Sequence, residues 1–234
     1  SFIWFKKWIE EGYTVSQLAR ESGHSRWKTR KILHWYLDRP PAGSILGEVK
    51  FMIIDGTYLE KRTGMVVVMN GKNYEVVYGR FGITEGPRGM SLLCQELMKR
   101  GCNPVSATID GSPAVRNALL FYWPQITVQR CIVHVQRQGL RWCRRYPKLT
   151  AAKRLRKIFL HVAAIHSYKE RDDFLSEVEA WERRFGHSIA SASERGWVMS
   201  DLKKARSMLL KAIPDMFHYL DTTQIPKTTN GLEG

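Results

Sequence analysis

Acidic residues are scarce in this chain. Its 234 residues hold 22 Asp and Glu against 37 Lys and Arg, a formal net charge of +15. Between Asp110 and Glu170 there is no acid at all, while twelve Lys and Arg fall between Arg116 and Lys169. That one stretch supplies most of the net charge. Cysteine is sparse too: Cys94, Cys102, Cys131 and Cys143 form no Cys-x-x-Cys pair. Their number rules out a small disulfide scaffold, and their spacing argues against a zinc ribbon within these residues. No apolar run approaches the roughly 20 residues that cross a bilayer; Met65 to Met69 is far too short. No membrane partner is expected, and a reducing compartment, cytoplasm or bacterial nucleoid, is the expected location.

What is present is the balance of a folded protein, 44% hydrophobic and 25% charged residues, with ample material for a core. A surplus of positive charge this large calls for a polyanionic partner, nucleic acid first. The basic run is interleaved with Tyr122, Trp123, Trp142 and Tyr146. Cations with aromatics suit a groove for phosphates and unstacked bases, although a solvated helix face is the plainer reading. The first residue is Ser1, and Glu233-Gly234 reads as the opening of a helix, so a piece of a longer protein is expected.

Residues 1–39 read as helical, with a helix over Thr14–Glu21, a turn at Ser22-Gly23-His24 and a second helix from Ser25 to about Leu37. Ser25 suits an N-cap and Gly23 a left-handed turn. The second helix carries Arg26, Lys28, Arg30 and Lys31 and no acid before Asp38, with Trp27, Ile32 and Trp35 expected on its packing side. This is the pattern of a helix-turn-helix that sets a basic helix in a major groove; an ordinary helical hairpin is the alternative.

Residues 40–48, rich in Pro, Gly and Ser, read as a linker. Strands are expected at Lys50–Leu59, Met65–Met69 and Glu75–Phe81, then a helix over Pro87–Arg100. A strand at Val105–Asp110, a helix from Ser112-Pro113, a strand at Ile126–Gln129 and a helix from about Cys131 follow. The order β-β-β-α-β-α-β-α describes an α/β protein with an RNase H-like mixed sheet: three antiparallel strands, then βα units. This core spans residues 49–148. From 149 to 225 the pattern is all-helical, an insertion with Phe174, Leu175, Val178, Trp181 and Phe185 on one helix side and Gly186 as its end. Another helix, about Glu194–Ala212, has Trp197, Val198, Leu202 and Leu209 as its apolar face. Residues 226–234 would begin the next helix.

Two acids stand out by position. Asp55 and Asp110 each close an apolar run and precede a glycine, at the ends of the first and fourth strands. Those strands are neighbours in an RNase H-like sheet, so the carboxylates would meet at its edge. Two carboxylates on rigid strands suit Mg²⁺ or Mn²⁺. A pair of such ions, about 3.5–4 Å apart, serves phosphodiester chemistry. Each Asp-Gly could also be a simple turn. A third ligand is needed, and Glu233 follows Pro226; Asn230-x-x-Glu233 is also a capping-box spacing.

Four pieces in order carry a family resemblance: Ile53-Ile54-Asp55-Gly56-Thr57, Thr108-Ile109-Asp110-Gly111, Gln129-Arg130-Cys131-Ile132-Val133-His134 and Thr229-Asn230-Gly231-Leu232-Glu233. From about Lys50 to Gly234 the chain resembles the Mutator-like DDE transposases, a group that includes many bacterial insertion-sequence enzymes. The resemblance implies Asp55, Asp110 and Glu233 as the metal-binding triad, for two ions of Mg²⁺ or Mn²⁺ per site. It matches Cys131 and His134 to the group's Cys-x-x-His signature, with His134 near the active site. Locally the two also read as a buried Cys beside a hydrogen-bonded His.

The implied activity is cleavage of double-stranded DNA at transposon ends and strand transfer into target DNA, by a homodimer or larger synaptic assembly. DNA contacts are expected from the N-terminal helix and from Arg137, Arg141, Arg144, Arg145, Lys153, Arg154, Arg156 and Lys157. An RNase H-like resolvase and an inactive, domesticated DNA-binding regulator are the alternatives.

Overall fold

In the computed structural model, residues 1–39, 46–60, 63–83, 86–193 and 196–230 are described. Most of the expected linker and the whole of 231–234, Glu233 included, lie outside the described residues. Three helices open the chain: α1 (Phe2–Glu10), α2 (Val15–Ser22) and α3 (Arg26–Leu37). Thr14 and Gln17 form a reciprocal capping box on α2, and Gly23 ends it at φ 67°. The Ser25 hydroxyl accepts the Lys28 N–H at 3.2 Å, starting α3. Caps of this kind contribute about 1 kcal/mol each.

The packing side of α3 differs from expectation. Trp27 and Trp35 are 66% and 50% exposed, whereas Thr29 and Leu33 are buried. Trp27, Lys31 and Trp35 recur every four residues and share the solvent side. There the Lys31 ammonium stands 4.1 Å from the Trp27 ring and the Arg39 guanidinium 4.5 Å from the Trp35 ring. The inner side belongs to Leu33 and to Tyr36, which stacks on Phe5 of α1 at 5.1 Å.

Five strands follow, β1 (Phe51–Glu60), β2 (Thr63–Asn70), β3 (Val76–Phe81), β4 (Ser106–Ile109) and β5 (Thr127–Arg130), in the order β3-β2-β1-β4-β5. β1 pairs antiparallel with β2, and β2 with β3; β1–β4 and β4–β5 are parallel. Helices α4 (Pro87–Lys99) and α5 (Pro113–Tyr122) cover one face. Met52, Ile54, Val66, Val68, Ala107, Ile109 and Val128 pack there with Met90, Leu93, Leu97, Val115 and Leu119. The alternation of strand side chains sends Ile53, Thr108 and Gln129 to the other face.

That other face meets the chain's last described segment. Helices α6 (Ile132–Cys143), α7 (Thr150–His161), α8 (Tyr168–Trp181), α9 (His187–Ser191), α10 (Trp197–Ala212) and α11 (His218–Asp221) share a second core. It is built on Ile132, Val135, Leu155, Phe159, Phe174, Val178, Trp181, Leu202 and Leu209. The buried Trp181 indole donates to the Ala151 carbonyl at 2.9 Å, as a buried Trp N–H must find an acceptor. Gly186 does not end α8. A π-helical turn, Glu182–Gly186, runs into α9. Gly186 is small because the Glu182 carboxylate, which binds Arg206 at 2.7 Å, lies against it. On α10, Leu202 and Leu209 are buried as expected, but Trp197 is 73% exposed and Val198 is exposed. They sit in the first turn, before the helix reaches the core. The expected start of that helix at Glu194 lies outside the described residues.

Candidate active site

Parallel register brings the site together. Ile54 is level with Ile109, and Ile109 with Arg130. One residue further, Asp110 and Cys131 follow the ends of β4 and β5, beside Asp55. Asp55 does not end its strand as expected but lies within β1 opposite Val67 of β2, at the level where the pairing with β4 stops. The Cys131 N–H continues the ladder, donating to the Ile109 carbonyl at 2.8 Å. Each carboxylate is held by the backbone that follows it. Asp55 Oδ1 accepts the Gly56 N–H at 2.9 Å, and Asp110 Oδ1 accepts the Ser112 N–H at 2.9 Å.

The chain returns to this edge 118 residues after Thr108, whose hydroxyl donates to the Pro226 carbonyl. Gln129 is fully buried on the same face. Its amide donates to the Met216 carbonyl at 2.8 Å and accepts the Tyr219 N–H at 3.2 Å. Ile132 N–H donates to Lys227 O at 3.1 Å. These bonds satisfy strand polar groups that would be costly to bury alone, and they seat Thr229, fully buried, at the strand ends. Thr229 N–H donates to Cys131 Sγ at 3.3 Å, and its hydroxyl lies 3.3 Å from His134 Nδ1. The same hydroxyl is near enough to Asp55 to favour its charged form.

Burial holds the Asp55 carboxyl above the usual carboxylate range, and the Asp110 charge pushes the same way. The Gly56 N–H, His134 and Thr229 pull against them. For Cys131 burial alone would raise the thiol, but hydrogen bonds from His134 and Thr229 outweigh it and bring it below the ordinary value. His134 is raised, chiefly by its bond to Cys131 and against its own burial. Cys131 is completely buried at the start of α6, so it orients neighbours and offers no nucleophile to solvent.

Asp55, Asp110, Cys131 and His134 are thus assembled as one site. Glu233 lies outside the described residues. Among the described residues no group of three His, Cys, Asp or Glu is placed to hold a metal ion; the two carboxylates are an incomplete set of hard oxygen donors. Thr229 and Arg130 were assigned no role from sequence. Arg130 ends a short strand whose middle residues are buried, and a charge at that position is the signal that could have marked it.

The expected DNA contacts divide. Arg26, Lys28, Arg30 and Lys31 are exposed on α3, Arg137 and Arg141 on α6, and Lys153, Arg154 and Lys157 on α7. Arg145 is exposed beside Tyr146, itself 79% exposed. Arg144 binds Asp201 at 3.0 Å and stacks 3.7 Å from the Trp197 ring. Arg156 is half-buried and donates to Leu140 O at 3.5 Å. Of the interleaved aromatics, Trp123 is buried in the sheet core. Tyr122 is tied to Ser91 at 2.6 Å and Gln95 at 2.8 Å; neither is available for base stacking.

A mixed five-stranded sheet with helices on both faces defines an α/β protein, and its two carboxylates stand side by side where adjacent parallel strands β1 and β4 part. Residues 50–207 match the model of the Mutator family of transposases, and the chain belongs to that family. It is 30% identical over 115 residues to the transposase for insertion sequence element ISRM3 of Rhizobium meliloti (strain 1021). It is 28% identical over 115 residues to a probable transposase for an ISRM3-like element of Sinorhizobium fredii (strain NBRC 101917 / NGR234). Each match covers 49% of this chain, and 28% and 27% of those relatives. Among the described residues no helix is long and apolar enough to cross a membrane.

Proposed function

We propose that this chain carries the catalytic centre of a DDE transposase, which cuts DNA at an element's ends and joins the freed 3′-hydroxyl to target DNA. One observation carries the reading: Asp55 within β1 and Asp110 just past β4 stand at the same level of adjacent parallel strands, in register through Ile54 and Ile109. The strand order and the mix of antiparallel and parallel pairs support an RNase H-like core.

Asp55 and Asp110 would hold Mg²⁺ or Mn²⁺, two ions per site, and the all-oxygen donor set fits hard cations. When bound, the ions supply an activated attacking oxygen and stabilise the leaving oxygen. Glu233 is the proposed third carboxylate. Thr229 sits against Asp55, and four residues reach at most about 14 Å, so Glu233 is tethered within reach of the pair. His134, bonded to Cys131 and beside Asp55, would orient that carboxylate or the scissile phosphate. The first three helices, with α3 presenting its basic side, act as a helix-turn-helix on duplex DNA, and the α6–α7 cations track phosphates. Residues 149–225 are then an insertion in the core, and two ends cut together imply a dimer or larger assembly in the nucleoid.

The test is incubation with element-end DNA and Mn²⁺, with Asp55→Ala as control. Cleavage and strand-transfer products lost in the variant support the reading. Cleavage without strand transfer indicates a nuclease. Binding with no metal-dependent cleavage in either protein indicates a regulator.

A further inference from the structure

Beside the paired carboxylates, on the α5 and α10 side, lies a cleft of about 820 Å³. Its charged lining is Arg116, Arg130, Lys203, Lys204 and Lys211 against one acid, Asp215, which is bound to Arg116 at 2.9 Å. Arg130 forms the inner wall. Its guanidinium fills the space where any side chain at Gly111 would stand, and Gly111 has φ +97°. The Arg130 Nη1 atom is buried and has no hydrogen-bond partner among the described residues. A buried guanidinium nitrogen lacking an acceptor costs about 1–3 kcal/mol or more. It is retained most economically where an anion completes it, and its planar fork matches phosphate.

We propose that this cleft holds the backbone of the DNA strand next to the attacked phosphate, with Arg130 as its innermost phosphate contact. The inference rests on the paired carboxylates being the cleavage centre. Length argues for a strand over a small anion. Ser200, Lys204, Ser207 and Lys211 recur every three or four residues along one side of α10 and span about 16 Å at 1.5 Å per residue. One phosphate would engage only part of that row. Lys204 and Lys211 are exposed, and Lys204 also leans toward Asp201 at 3.8 Å. The apolar lining of Ile109, Val128 and Met208 excludes water and strengthens each contact.

The test compares the intact chain with Lys204→Gln/Lys211→Gln and with Arg130→Lys, reading binding of a labelled mixed-sequence DNA duplex across salt concentrations. The double variant should keep its melting temperature, bind on the order of tenfold more weakly, and lower the log–log salt slope by about 1–2. Arg130→Lys should also weaken binding. A neutral methylphosphonate scanned along the cleaved strand should hurt the intact chain most at one position and hurt Arg130→Lys less there. Unchanged affinity and slope in the double variant overturn the proposal. So does inorganic phosphate that raises the melting temperature of the intact chain but not of Arg130→Lys while the two bind DNA alike, which marks a small-anion site. Asp55→Ala, run alongside, separates the two failures. If it abolishes Mn²⁺-dependent cleavage, the catalytic reading stands whatever the slopes show. If it cleaves normally, that reading falls, and this proposal with it.

Discussion

The backbone N–H of Thr229 donates to the sulfur of Cys131, 3.3 Å away and 98 residues earlier in the chain. This bond and its neighbours clamp the segment that follows the helical bundle onto β4, β5 and the start of α6, beside Asp55 and Asp110. Thr229 is fully buried, so its hydroxyl has no water to replace lost partners. Thr229→Val, nearly isosteric, should cost about 1–2 kcal/mol in urea denaturation. Any DNA cleavage should fall with it, since Asp55 and His134 lose a shared partner. Thr229→Ser should retain most of both.

Gly111→Ala should be far more costly than Gly82→Ala. Both glycines have positive φ, but a Cβ at 111 collides with the Arg130 guanidinium, while nothing lies within 4 Å at position 82. The backbone term alone is about 1 kcal/mol. The Arg130 guanidinium must also shift toward the cleft, which adds to that cost. Chemical denaturation of the two variants checks the difference.

The bundle has a comparable close approach. A Cβ at Gly139 of α6 would overlap the Phe159 ring of α7, and Phe159 is fully buried. Gly139→Ala should destabilise the chain by about 1–3 kcal/mol through overpacking, read as a lower denaturant midpoint.

Asp55 sets a pH dependence. Its folded-state pKa lies above the ordinary carboxylate value, so the folded state holds its proton to higher pH than the unfolded state does. In metal-free solution stability should therefore decline as pH rises from the ordinary carboxylate pKa through the raised one. Asp55→Asn should flatten that decline and melt at higher temperature above the window. A melting temperature for Asp55→Asn below that of the native chain at neutral pH would contradict this.

Thiol chemistry follows from burial. All four cysteines are buried and unpaired. Burial pushes Cys94 and Cys143 up to about 12 and Cys102 to about 11. At mildly alkaline pH these three should resist alkylation until the chain unfolds. Cys131, held below the ordinary thiol value, should be modified first, once the segment around Thr229 opens. Mass spectrometry after timed alkylation reads that order.

The strands, most helices and the Ser25 cap were legible because local signals decide them: alternation, helical spacing, a hydroxyl before a helix. Asp55 and Asp110 were legible because each ends an apolar run. The side of α3 that faces inward was not, since Trp27 and Leu33 are equally apolar and only tertiary contacts choose between them. Gly186 looked like a stop and proved to be room for Glu182. Thr229 and Arg130 depend on partners far away in sequence, which no local pattern encodes.

The central claim is that Asp55 and Asp110 act as one metal-holding unit. Single-turnover cleavage of element-end DNA in Mn²⁺ by Asp55→Asn, Asp110→Asn and the double variant tests it most directly. Each single variant should lose on the order of 10²-fold or more, with DNA binding retained and the double variant falling little further, as groups acting together do. A single variant that cleaves like the native chain would contradict the account.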